Sequence, residues 1–154
     1  MIKYIDKFGK EIKRGAIFLK HKDNGAYVGV AKEIDNLLYF CRQSYYDSEQ
    51  GRTLLCEMDL SKLSVFDIAK FNKKNQNKGI IRYYDKNGIE IREEMCLFIG
   101  NENSGNGGPI EKQGNDLMFG FGTSYDPDFI SLSKLMTKNK NIDFIVEFIP
   151  QKYL

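Results

Sequence analysis

With 154 residues, 42% hydrophobic content, 11 Phe and 9 Tyr, the chain has the apolar material for a globular core. It has no apolar run near the ~18 residues that a membrane-spanning helix needs. A net charge of +2 excludes the dense basic surface of a dedicated nucleic-acid binder, and three cysteines at unrelated spacings exclude a disulfide framework.

In chain order, Met1–Ile5 reads as a first strand, and Asp6-Lys7-Phe8-Gly9 as a tight turn leading into a second at Lys10–Ile12. There the Asp can accept backbone N–H bonds and the Gly can take positive φ. The runs at 16–21, 26–34, 37–46 and 53–58 follow as short strands separated by Asp/Asn/Gly turns, with a helical turn at 59–63. VFDIAKF (65–71) is expected to close this part of the chain as a strand, and the polar NKKNQNKG (72–79) reads as a linker.

The pattern then begins again. IRYYDKNGIEIR (81–92) matches IKYIDKFGKEIK (2–13) at seven of twelve positions, with Lys for Arg among the differences. At the same offset of 79, NDLMFGFGTSYD (115–126) falls on NLLYFCRQSYYD (36–47). The expected organisation is therefore a tandem duplication, 1–71 and 80–154 joined by 72–79. Copies of this size lie near the lower limit for an independent core, so the two are expected to pack on each other. The charge divides unevenly, +5 over residues 1–78 and −3 over 79–154. In the second copy MCLFIG (95–100) predicts a buried strand, Asp126-Pro127 the start of a helix over 127–138, and IDFIVEFI (142–149) a final strand. The fold class is mainly β, two tandem homologous small barrels with a short helix in the second.

YIDKFGKEIKRGAIFLKH and YVGVAKEIDNLLYF (residues 4–21 and 27–40) resemble the small SH3-like β-barrel proteins of phages and mobile elements in low-GC bacteria. Those open with a DKxGKEIxxGDxV strand–turn–strand and continue with a GxVxEIDDxLYV pair. Ala16 replaces the usual Asp, and Glu93-Glu94 stand where the first copy has Arg14-Gly15. The resemblance implies an SH3-like barrel and no particular activity.

Candidate chemistry is sparse. The copies differ most at 100–115, a glycine-rich segment expected to be a loop in place of a strand pair. Its Asn103, Gly105, Asn106, Gly107 and Gly108 are candidates for partner contact or for a nest of N–H groups around an anion. A second glycine run, Phe119–Ser124, suits a barrel corner or the close approach of a flat ligand. Arg42, Tyr45, Tyr46, Arg52 and Tyr125 place aromatic and basic side chains at strand ends, the residue types that anchor interfaces. His21 is the sole histidine, expected in a surface loop, and Cys41, Cys56 and Cys96 lie in apolar runs, as small buried thiols. No nucleophile–base signature and no C-x₂₋₄-C pairing surrounds them, so neither a catalytic set nor a metal site is expected. Adjacent Glu93 and Glu94 would face opposite sides of a strand and cannot act as an acid–base pair.

These readings favour a non-enzymatic protein-binding module without a cofactor, of the inhibitor or immunity-protein kind. The alternative is a nucleotide or nucleic-acid binder with its site between the copies. MIKYIDKFGKEIK has no apolar h-region, and a cytoplasmic location is expected.

Overall fold

The computed structural model describes residues 2–43, 51–74, 81–100, 105–123, 126–138 and 142–154. The chain is mainly β and divides into two compact units. The first comprises residues 1–67 with Glu147–Leu154, and the second is Ile68–Val146. Relative to the sequence repeats, the segment after residue 67 groups with the second unit and the C-terminal residues with the first.

In the first unit β1 (Ile17–Lys22), β2 (Gly25–Ile34), β3 (Leu37–Cys41), β4 (Arg52–Leu54) and β5 (Leu63–Val65) are ordered β5-β1-β2-β3-β4. The second unit contains β6 (Cys96–Gly100), β7 (Gly105–Gln113), β8 (Asp116–Thr123), β9 (Asp126–Ser131) and the start of β10 (Asp143–Pro150). Its order is β10-β6-β7-β8-β9, the same sequence of neighbours. The end of β10 pairs with β2 in the first unit, from Phe148 against Tyr27 to Pro150 against Gly25. Every register described is antiparallel, and neither row of strands closes on itself among the described residues.

The apolar positions of the first unit converge on Ile12, Phe18, Ala31, Phe40, Leu55 and Leu63, with the Phe18 and Phe40 rings edge-on at 5.0 Å. Ile91, Leu97, Ile110 and Phe119, each 79 residues beyond its counterpart, are buried in the second unit. Burial of such side chains contributes about 1.5–3 kcal/mol each and is the main source of stability.

Several expected elements take a different form. The opening strands at 1–5 and 80–84 are reduced to single bridges, Ile5–Glu11 and Tyr84–Glu90, because the turn that follows each fills their hydrogen bonds locally. The segment from 105 onward is strand β7, not a loop. Residues 126–131 are strand β9, and only Leu132–Lys138 form a helix (α2). Pairing with β8 outweighs the local Asp-Pro helix signal there. VFDIAKF is not one strand: β5 ends at Val65, and Ile68–Lys74 form helix α1 with Phe71 buried. The helical turn near 59–63 is a 3₁₀ turn at Leu60–Lys62, capped by Asp59 accepting the Ser61 N–H.

One device recurs in both units. The Asp6 carboxylate accepts from the N–H groups of Phe8 (2.9 Å) and Lys10 (2.8 Å) through Oδ1, and of Val65 (2.8 Å) through Oδ2. Asp85 accepts likewise from Asn87, Ile89 and Val146, each at 2.9 Å. The backbone repeats the link, Lys7 N–H to Leu63 O and Lys86 N–H to Phe144 O. Each Asp therefore ties its opening turn to the last strand of its own unit.

Burial, the largest single influence on both carboxyls, disfavours their ionisation. At Asp6 the N–H bonds outweigh it and hold the carboxyl below its usual value; at Asp85 desolvation prevails and pushes it up. Asp6→Asn turns an NH₂ group toward a backbone donor and is expected to cost about 2 kcal/mol at pH 7. Because the folded Asp6 value is depressed, that cost is full above about pH 4, the unfolded carboxylate value, and fades as the pH falls through the folded value. The folded Asp85 value is raised, so the margin of wild type over Asp85→Asn widens as the pH falls through it. Urea midpoints of the three proteins between pH 7 and 3 check both; parallel pH profiles for the two variants would contradict the opposite shifts.

Candidate functional site

Among the described residues, those singled out from the sequence fall in both units. Arg42 follows β3, with its guanidinium 5.3 Å from the Tyr27 ring centre and 3.7 Å from Glu147. Phe148 meets the same ring edge-on at 5.2 Å. Arg42 thus holds the end of β10 against β2. Arg52 lies on β4 opposite Cys41 and over the Tyr39 ring at 5.8 Å, beside a shallow depression it shares with Thr53 and Glu57. Gly105, Asn106, Gly107 and Gly108 belong to β7 of the second unit, facing Gly100, Ile99, Phe98 and Leu97 of β6. Tyr45, Tyr46, Asn103 and Tyr125 lie outside the described residues.

The two glycine clusters serve packing. Successive N–H groups of an extended strand point to opposite edges, so the Gly105–Gly108 backbone cannot converge on an anion as a nest does. A Cβ on Gly108 would strike the Gly120 carbonyl, and one on Gly105 the Phe98 ring. Residue 108 can lie against the Gly120 carbonyl only because it carries no side chain, and a Cβ on Gly120 would in turn meet the Phe129 ring.

His21 lies on β1, not in a loop, with Nε2 2.6 Å from Ser64 Oγ on the neighbouring β5. Burial, and then the Lys7 charge, lower its pKa and favour the neutral ring. Ser64 is only 5% exposed, so its hydroxyl is closed to a substrate and the pair braces β1 against β5. The expectation of buried thiols fails: Cys41 and Cys96 are half-buried and Cys56 is exposed, on a 3₁₀ turn whose buried residue is Leu55. None of the three is in a disulfide, and among the described residues no group of His, Cys, Asp and Glu is arranged to hold a metal.

Two features were not anticipated from the sequence. The first is a buried ion pair. Glu90 and Arg92, two apart on an extended segment and so on one face, meet at 2.9 Å between Oε1 and Nε. Helix α1 packs on them. The Arg92 guanidinium lies 3.9 Å from the centre of the Phe71 ring and donates to the Phe71 carbonyl at 2.9 Å. Asn72 accepts the Glu90 N–H at 3.0 Å and donates to Gly88 O at 2.8 Å. Two charges desolvated in this way are retained because each is bonded.

The second is a groove of about 450 Å³ on the first unit. The segments at Ile2–Tyr4 and Glu11–Arg14 run side by side, joined by Ile12 N–H to Tyr4 O, and the turn into β3 supplies Leu37 and Leu38. Buried Ile12 and half-buried Tyr4 and Leu38 form its floor. At its lip Ile2 is 74% exposed and Leu37 44% exposed, large aliphatic groups left in water. Lys3, Glu11, Lys13 and the Arg14–Glu33 pair (3.6 Å) make the rim charged. An apolar floor with a polar rim is the anatomy of a protein-contact surface. No signal for it stands in the sequence, since the exposure of Ile2 and Leu37 appears only in the folded chain.

The packing role of the glycines carries a direct test. Gly108→Ala is expected to destabilise the fold by about 1–3 kcal/mol through overpacking against Gly120, read as a lower urea midpoint. An unchanged midpoint would return the glycines to the list of ligand-binding candidates. No protein-family model, curated protein or solved structure matches the chain.

Proposed function

We propose that the chain is a non-enzymatic protein-binding module, built on two copies of an SH3-like barrel and acting as an inhibitor or immunity-type protein of a phage or mobile element. The observation that supports this reading is the groove of the first unit, where Ile2 and Leu37 leave aliphatic surface in water beside a charged rim. Such surface lowers solubility unless a partner covers it. Its rigid backbone frame suits it to a preformed contact, since Asp6 fixes the turn between the two segments that build it.

A photoreactive amino acid placed at position 37 tests the proposal in cells producing the full chain. It is expected to give a discrete protein adduct that Ile2→Glu abolishes. The same group at Asp59, exposed and outside the groove, is expected to give none. Equal labelling from positions 37 and 59, or labelling unaffected by Ile2→Glu, would refute the groove as the contact surface.

A further inference from the structure

The two units carry unlike charges at matching points of their shared frame. In the second unit Lys86, next to the clamp Asp85, donates its N–H to Phe144 O, and its ammonium meets the Asp143 carboxylate at 3.6 Å. In the first unit Lys7 follows Asp6 in the same way and bonds to Leu63 O, so Lys62 stands where Asp143 does. Two cations occupy the positions of an ion pair.

More positive charge surrounds Lys62. Lys20 lies opposite Leu63 on β1, and Lys22, two residues on, shares its face. Burial first, and then the charges of Lys22, Arg42 and Lys62, disfavour the Lys20 ammonium, so these cations lie within reach of one another. Glu147 offsets Arg42 at 3.7 Å. Asp59 senses Lys62, but one of its oxygens is taken by the Ser61 N–H (3.0 Å) and hydroxyl (2.6 Å). Among the described residues none of Lys7, Lys20, Lys22 and Lys62 forms an ion pair. The frame itself does not require this charge: Ile99, Asn106 and Phe121 stand where the first unit has Lys20, Tyr27 and Arg42. The net charge of +2 hides the patch because it averages over both units.

An aromatic ring borders the cations. Phe8, at the tip of the turn, is 72% exposed, with Lys7 Nζ 5.0 Å from its ring centre. Its counterpart in the second unit is Asn87. Three N–H bonds to Asp6 hold the turn, so the ring is carried on a fixed backbone.

We infer that this face of the first unit binds single-stranded nucleic acid, with phosphates against Lys7, Lys20, Lys22 and Lys62 and a base stacked on Phe8. The site shares no residue with the groove and goes beyond the protein-binding reading. Ammonium groups act as point charges and accept successive phosphates without a fixed geometry. A phosphate beside Lys7 and Lys62 supplies the negative charge that Asp143 supplies to Lys86 in the second unit. An exposed ring on a rigid turn offers the flat face on which an unpaired base stacks, and a duplex has no such base to give.

The probe is a fluorescein-labelled oligothymidine of about 15 nucleotides, titrated with the full-length protein and followed by fluorescence polarisation. A dissociation constant on the order of 10 µM is expected at physiological salt. Each phosphate contact on a single strand contributes about −0.7 to the slope of log K against log salt, so four lysines give about −3. Lys62→Asp rebuilds in the first unit the ion pair of the second. It is expected to remove two of the four cations, weakening binding about tenfold and halving the slope. An unchanged or higher urea midpoint shows that this variant folds. Phe8→Ala is expected to weaken binding about fivefold or more with the slope unchanged, because stacking releases no counterions. Lys112→Glu, an exposed change on the second unit, is expected to alter affinity by less than about twofold. Absence of saturation at millimolar protein would overturn the inference, as would binding indifferent to Lys62→Asp or to Phe8→Ala. Equal loss from Lys112→Glu would reduce the effect to net charge and overturn it too. Equal affinity for the duplex form would overturn the single-strand assignment, and displacement by polyglutamate of matched charge would assign the patch to an acidic protein segment instead.

Discussion

The fold depends on a carboxylate used as a clamp. Asp6 and Asp85 each gather three backbone N–H groups, two from their own turn and one from a strand about sixty residues away. Beside it, each opening segment makes one bridge of its own and one backbone bond from the residue after the Asp to the last strand. Without the carboxylate, the N–H groups of the turn and the last strand would be left without partners, a cost comparable to the net worth of the bonds themselves. The clamp fixes where residues 2–14 and 81–93 run. It therefore fixes the wall of each groove, so that the surfaces assigned to function depend on the same oxygen atoms as the fold.

Upon this shared frame the two units diverge by a few substitutions with large physical consequences. Lys13 remains in water; Arg92 is buried, held by Glu90 and stacked on Phe71. A guanidinium is planar and more weakly hydrated than an ammonium, so it can be enclosed and still make directed bonds, where lysine would lose most of its hydration. Position 94 shows the same economy of change: Glu94 adopts φ 69° where Gly15 adopts 85°, the turn being kept although the glycine is not.

Much of this was legible in the residues. The Asp-x-x-Gly turns, the strands at 16–21, 26–34, 95–100 and 142–149, and the recurrence at 79 positions all follow from short-range chemistry: turn acceptors, apolar runs and simple alignment. What could not be read depends on contacts distant in sequence. β7 reads as a loop because its glycines have no side chains to show alternation, and their purpose appears only when Gly108 is seen against Gly120. Asp126-Pro127 offers a sound helix start, yet pairing with β8 makes that segment a strand. Helix α1 was hidden because VFDIAKF is apolar enough to pass for a strand, and the burial of Phe71 depends on an arginine twenty-one residues later. Arg42 and Arg52 were sound choices of residue type, but aromatic rings within the first unit engage both.

The contrast between the grooves bears on how a duplicated scaffold gains a specific contact. An apolar groove on a free module exposes surface that favours nonspecific association, and two such grooves double the liability. Beside the small cavity of the second unit, helix α1 sets a ring against the Arg92 cation and a carboxamide between one carbonyl and one N–H. In the second unit Ile81, the counterpart of Ile2, is likewise 63% exposed, while the position of Leu37 carries Asp116, bonded to the Tyr83 hydroxyl. Leu37 in place of Asp116 is therefore the change that leaves the first-unit groove more apolar than its counterpart.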